Sequence, residues 1–159
     1  MKTILILESD RHAASALAEP LMAHGYNVLM AADGIMGLQL ILVRNPDLVI
    51  CEAWMPLGLG FSLAQRLREL GLGNIPFIFV TCRQDPSVHE TAIKLHAAAF
   101  FVKPIDPTAL LAAVKKTLAP HSSAPVSASK SSQASLIRLR CDDNSDRHKS
   151  VNPMHQTPP

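Results

Sequence analysis

Along the first 119 residues, short apolar runs alternate with stretches in which apolar residues recur every three or four positions. Thr3 to Leu7 is an unbroken β-branched and leucine run, the pattern of a strand buried on both faces of a parallel sheet. Arg11 to His24 follows with Ala14, Leu17 and Leu21 at helical spacing, closed by Gly25. Pro20 falls inside this helix and is expected to kink or loosen it, since an interior proline costs about 3 kcal/mol. Tyr26 to Ala31 reads as a second strand. Gly34 to Val43 reads as a second helix with Ile35, Leu38 and Leu42 on one side, stopped by Asn45-Pro46. Leu48 to Cys51 is a third strand that ends in a single carboxylate, Glu52. Phe61 to Leu70 is a helix with Phe61, Ala64, Leu67 and Leu70 as its apolar positions, ended by Gly71 and Gly73. Ile75 to Thr81 is a fourth strand with Pro76 near its start, where a missing N–H does least harm. Asp85-Pro86 opens a helix reaching His96, Ala98 to Val102 is a fifth strand, and Asp106-Pro107 opens a last helix, Thr108 to Leu118. In both helices an acid stands at the N-cap with proline just inside.

Strand and helix alternating five times predict an α/β fold, a doubly wound parallel sheet, over residues 1–119. Periodicity alone does not fix strand order, but the flavodoxin-like order 2-1-3-4-5 is the commoner choice at this size. From Pro120 the character changes. His121 to Ser135 is Ser, Ala and Pro with little to bury, and Cys141 to Pro159 is polar with more proline. Such composition does not offset the entropy of ordering, so residues 120–159 are expected to form a disordered tail. Within it, Leu136-Ile137-Arg138-Leu139-Arg140 is an apolar and basic island, readable as a chance cluster or as a short docking peptide.

The formal charge of +2 changes meaning once located. Lys and Arg balance Asp and Glu at ten each up to Ala119, and the excess lies wholly beyond it. A neutral folded part argues against nucleic-acid binding, which needs a basic face. Cys51, Cys82 and Cys141 show no metal-ligand spacing, so reduced thiols are the default. The apolar start breaks at Glu8, too early for a signal peptide, and no apolar stretch approaches membrane-spanning length. A soluble cytoplasmic protein with no membrane contact is expected.

In an open parallel sheet, chemistry gathers at the carboxyl ends of the strands. Four such ends carry polar groups here: Glu8-Ser9-Asp10 after the first strand, Glu52 after the third, Thr81 after the fourth and Lys103-Pro104 after the fifth. Asp33-Gly34, Met55-Pro56, Gly60 and Phe100 stand at set distances from them. This constellation resembles the response-regulator receiver domains of the CheY-like kind over residues 1–119. The resemblance implies an acidic pocket after strand one, a phosphoacceptor aspartate after strand three, Thr and Lys that receive phosphoryl oxygens, and an aromatic, here Phe100, that switches rotamer.

The departures fall at the centre of that pattern. Glu52 stands where the phosphoacceptor aspartate belongs. Glu8 replaces the first acid of the pocket, and neutral Ser9 replaces the second, with Asp10 beyond. The resemblance implies a Mg²⁺ held by a strand-one acid, the acceptor and a backbone carbonyl two residues on. Mg²⁺ demands near-octahedral oxygen geometry, so no metal or other cofactor is expected here and any Mg²⁺ binding should be weak or absent. If a cation bound at all, its ligands would be Glu8, Glu52 and the Trp54 backbone. The Glu52 carboxylate reaches about 1.5 Å further than that of aspartate, and a misplacement of about 1 Å can slow an in-line transfer on the order of a hundredfold. Ordinary phosphorylation is therefore disfavoured. The same reach carries the carboxylate toward Lys103 and Thr81, so Glu52 reads either as a built-in mimic of the phosphorylated state or as a relic carboxylate neutralised by Lys103.

The resemblance thus points to a stand-alone pseudo-receiver, a binding module rather than an enzyme. No output domain follows in this sequence, so its effect is expected through a protein partner, a histidine kinase or another signalling protein. The face expected to carry it is that of helix four, strand five and helix five, with His89, Lys94, Phe100, Phe101 and Lys115; a homodimer is a further option. The alternative is a single-domain response regulator that still accepts phosphate, on Glu52 or a neighbour such as Ser9. A flavodoxin-like cofactor protein would need a Gly/Thr/Ser-rich phosphate cradle after strand one, and Glu8-Ser9-Asp10-Arg11 is acidic and glycine-free.

Overall fold

The computed structural model describes residues 1–55 and 59–119. Pro56, the proposed tail 120–159 and its apolar island at 136–140 lie outside the described residues. The elements are β1 (Thr3–Leu7), α1 (Arg11–Ala23), β2 (Asn27–Ala31), α2 (Gly34–Arg44), β3 (Leu48–Glu52), α3 (Leu59–Glu69), β4 (Phe77–Thr81), α4 (Pro86–Lys94), β5 (Ala99–Val102) and α5 (Pro107–Leu118). The five strands form one parallel sheet in the order β2-β1-β3-β4-β5, the expected flavodoxin-like arrangement. Among the described residues no helix is long and apolar enough to cross a membrane.

The continuous apolar runs of β1, β3 and β4 are buried because helices cover both faces of the sheet. Strand alternation sorts them into two cores. Ile4, Ile6, Leu48, Ile50, Ile78 and Val80 meet Leu17 and Leu21 of α1 and Leu110 and Val114 of α5. Leu5, Leu7, Val49, Cys51, Phe77 and Phe79 face α2, α3 and α4 through Ile41, Leu63, Leu67, Val88 and Ala92. Phe79 anchors the second core, with the Phe61 ring edge-on at 4.7 Å between centroids.

Four helices begin at the carboxyl edge of the sheet under an aspartate cap. Asp10 accepts from the N–H groups of His12 and Ala13, Asp33 from Met36, Asp85 from Ser87 and Asp106 from Thr108. Each cap satisfies an otherwise orphaned helical N–H and fixes where its strand-to-helix loop turns. At the other edge, Asp47 ties the chain start to the β3 approach by accepting from Lys2 Nζ and the Thr3 N–H, both at 2.7 Å.

Two helices differ from their expected faces. On α2 the buried positions are Gly34, Gly37 and Ile41, whereas Ile35 and Leu42 are exposed. The reason is glycine: a Cβ at Gly37 would fall on the terminal carbons of Leu7, so the α2 backbone itself lies against β1. On α3 the buried stripe is Leu63, Ala64 and Leu67, and the helix ends at Glu69, leaving Leu70 exposed. A strict three-residue spacing drifts around a helix of 3.6 residues per turn. Helix α1 continues through Pro20 to Ala23.

The first turn of α3 is pressed against the end of β3. A Cβ at Gly60 would meet the Glu52 carbonyl oxygen and lie 2.6 Å from the Ala53 oxygen and 2.8 Å from its carbonyl carbon. Backbone does not yield as a flexible side chain does. Gly60→Ala should therefore destabilise by about 1–3 kcal/mol, while Gly37→Ala, which meets only the mobile tips of Leu7, should cost less. Urea unfolding of both variants at equal m-values checks the ranking.

Candidate functional site

At the carboxyl edge of the sheet, backbone hydrogen bonds prolong the ladder from β3 to β4, from β4 to β5 and from β1 to β2. The Ala53 N–H donates to the Val80 carbonyl and the Lys103 N–H to the Thr81 carbonyl, each at 2.8 Å, while the Glu8 N–H donates to the Ala31 carbonyl at 3.0 Å. Glu8, Glu52 and Lys103 are thus placed by rigid strand ends. Three strand spacings of about 4.8 Å separate β5 from β1, and long side chains on both partners close that gap.

The Lys103 ammonium lies between the two glutamates. Its Nζ donates to Glu8 Oε2 at 2.5 Å and to Glu52 Oε2 at 2.7 Å. The side chains are nearly enclosed, with exposures of 5% for Lys103, 3% for Glu8 and 9% for Glu52. The remaining oxygens are also used: Glu8 Oε1 accepts the Asp10 N–H at 3.0 Å and Glu52 Oε1 accepts the Trp54 N–H at 3.3 Å. Burial by itself would push the lysine toward its neutral form, but the Glu52 charge and hydrogen bond, with those of Glu8, outweigh it and raise its pKa above the usual 10.5.

The other expected residues divide. Thr81 is wholly buried, and its hydroxyl accepts the Arg83 N–H at 3.1 Å. No hydrogen bond joins it to Glu52 among the described residues. Ser9 and Asp10 are exposed. Asp10 serves as the α1 cap, and the N–H groups it accepts, that of Ala13 first, hold its carboxyl below the usual range despite some desolvation. Of the expected acidic pocket, Glu8 alone turns into the cluster. Phe100 is half-buried beside His89, with ring centroids 5.2 Å apart. Phe101 packs in the opposite core with α5 residues, so Phe100 and Phe101 do not share one surface. Lys94 and Lys115 are exposed.

The structure adds Arg83, which the sequence reading passed over. Its guanidinium sits 4.7 Å from the centroid of the half-exposed Trp54 ring. The signal was available: Trp54 stands two residues past Glu52 and Arg83 two past Thr81, each just beyond the end of one of two adjacent parallel strands. Cys51 is buried in the core, and its thiol donates to the Glu52 carbonyl at 3.3 Å. Burial, reinforced by the Glu52 and Glu8 charges, pushes that thiol far above its ordinary value and leaves it inert.

A divalent cation at this edge would need oxygen ligands free to surround it. The two inward carboxylates already hold an ammonium, and the Asp10 carboxylate caps a helix. Among the described residues no group of three or more His, Cys, Asp and Glu side chains is placed to hold a metal. The donor set does not fit Mg²⁺ while Lys103 keeps its position.

Comparison with known proteins agrees with this architecture. The family model of the response regulator receiver domain matches residues 4–115. The chain is 33% identical over 112 residues to the transcriptional regulatory protein DltR of Streptococcus agalactiae, covering 70% of this chain and 50% of that protein. It is 30% identical over 115 residues to the response regulator MprA of a Mycobacterium species, covering 72% and 50%. The chain spans about half the length of the curated relatives it matches. Among solved structures, a CheY-like receiver domain protein from Methanospirillum hungatei superposes with a TM-score of 0.69 at 27% identity, over 74% of this chain and 94% of that one. The receiver domain of a signal transduction histidine kinase from Syntrophus aciditrophicus gives 0.68 at 28% identity, over 74% and 90%.

Removing the central cation should be costly. Lys103→Met leaves two enclosed carboxylates facing each other, and the expected loss is about 3–5 kcal/mol, read by urea unfolding at neutral pH. In the native chain the raised lysine pKa gives the opposite boundary. The Lys103 contribution is fully present below pH 10.5 and falls as pH climbs through the higher folded value. An alkaline unfolding series in which Lys103→Met loses this step checks both.

Proposed function

The chain belongs to the response regulator receiver domain family, and from that premise we propose that it is a pseudo-receiver. In this reading it is a protein-interaction module of two-component or phosphorelay signalling that works by binding, and Glu52 is not phosphorylated in the ordinary way. The observation that carries the proposal is the Lys103 ammonium at 2.5 and 2.7 Å from Glu8 and Glu52. The acceptor position holds a longer carboxylate, that carboxylate is already neutralised, and the acid beside it is committed to the same lysine. Phosphoryl transfer depends on positioning and on a metal to spread charge, and neither is supported by this donor arrangement. Mg²⁺ binding is accordingly weak or absent.

Glu52 makes one of the two contacts that the family resemblance assigns to a phosphoryl group, the one to Lys103, and lacks the one to Thr81. Its mimicry of the phosphorylated state is therefore partial. A carboxylate brings one charge and two oxygens where a phosphoryl group brings up to two charges and three. Output would pass to a protein partner, a histidine kinase or another signalling protein, at the α4–β5–α5 side where Lys94 and Lys115 are exposed. The 120–159 segment would act as a tether or second contact.

The test follows the fluorescence of Trp54, the single tryptophan, in the full chain. Its backbone N–H is bound to Glu52 and its ring lies beside Arg83, so it reports on the site. Mg²⁺ titrations with and without beryllofluoride should be flat in the native chain and saturable in a Glu52→Asp, Ser9→Asp double variant. Treatment with acetyl phosphate should leave the native mass unchanged. A saturable native response, or a phosphoryl adduct, would overturn the proposal and return the protein to phosphorelay chemistry.

A further inference from the structure

Helix α2 presents an unpartnered apolar stripe on its outer side. Ile35, Met36, Leu42 and Val43 are exposed at 67%, 47%, 58% and 79%, and Gln39, also exposed, lies among them. Their spacing places all five on one face, opposite the buried Gly34, Gly37 and Ile41. The stripe carries no charge, and its order reads alike from either end. Gln39 is the midpoint of Gly34–Arg44; the Ile35-Met36 pair precedes it and the Leu42-Val43 pair follows at the same distances. Opposite charges close the two ends. Asp33 is the exposed N-cap and Arg44 is the exposed last residue, and neither enters an ion pair among the described residues.

We propose that this stripe docks a second copy of the chain, two α2 helices packing antiparallel about a two-fold axis at Gln39. An isologous interface requires one patch to complement itself, and this one does so position by position. Ile35 meets the partner's Val43 and Met36 meets the partner's Leu42. Gln39 faces its own copy, and an amide supplies both the donor and the acceptor of such a pair. At each end of such a pair Arg44 and the partner's Asp33 come to nearly the same level, on the flank of the stripe. The charges also select orientation, because a parallel pair would set Asp33 against Asp33 and Arg44 against Arg44. Antiparallel helix dipoles agree with the same choice. A single helix pair covers less than the roughly 1,600 Å² of a standard interface, so the dimer is weak and concentration-dependent. The stripe involves none of Glu8, Glu52 and Lys103 and stands apart from the reading of that cluster.

Sedimentation equilibrium of the full chain from micromolar to millimolar concentration tests the proposal. The expected result is a reversible dimer that Leu42→Glu weakens by about a hundredfold, since two copies of the side chain leave the interface together. Circular dichroism melting of Leu42→Glu should stay near that of the native chain, because Leu42 is already exposed in the monomer. Arg44→Glu should weaken the dimer as well. Gln39→Cys, on the axis, should give a covalent dimer on mild oxidation beyond any formed by the native chain. A monomer throughout the range, a dimer indifferent to Leu42→Glu, or no extra cross-link in Gln39→Cys would each overturn it.

Discussion

An ammonium held between two enclosed carboxylates is the constraint on which the functional edge of this sheet depends. Glu8, Glu52 and Lys103 come from β1, β3 and β5, so the cluster closes only if all three strands keep their register and the sheet its 2-1-3-4-5 order. Taking three charges out of water is unfavourable in itself, and geometry must offset it. Here every carboxylate oxygen of the cluster has a partner, two on Lys103 and two on backbone N–H groups of the strand-end loops. The backbone of the loops is thereby drawn into the electrostatics. Loop positions that would otherwise be set by solvent are set by the acids.

Much of this was legible in the sequence, for identifiable reasons. Continuous β-branched runs separate strands buried on both faces from amphipathic helices, and Asp10, Asp33, Asp85 and Asp106 mark helix starts whose structural role is the one their chemistry implies. The inner face of α2 was not legible, because a pattern of apolar side chains is blind to glycine. Gly34 and Gly37 bury backbone instead of side chain, and Ile35 and Leu42, which the pattern assigns inward, are pushed to the surface. That one error conceals an exposed apolar stripe.

At the site, the meeting of strand-end residues could be read from the topology, but their pairing could not. Glu8 has the reach to serve either a metal or a lysine, and sequence alone does not choose. Asp10 reads as a pocket acid until the helix after it claims its oxygen, since a capping position competes for the same carboxylate. Thr81 stands where expected, yet its hydroxyl serves the N–H of its own loop at Arg83. In each case a local backbone donor, invisible to a motif, captures the side chain first.

Those local donors also connect the cluster to the surface. Glu52 holds the Trp54 N–H, Thr81 holds the Arg83 N–H, and the two outer side chains lie against each other at 4.7 Å. The β3 and β4 loops are therefore joined twice, once beneath through the strand ladder and once above through the Trp54–Arg83 contact. A change at Glu52 that broke its bond to the Trp54 N–H would release one side of that contact without disturbing the core. The cluster itself is nearly enclosed, with Glu52 only 9% exposed. Trp54, half-exposed and bonded through its N–H to the acid beneath it, carries the site to the surface of the domain.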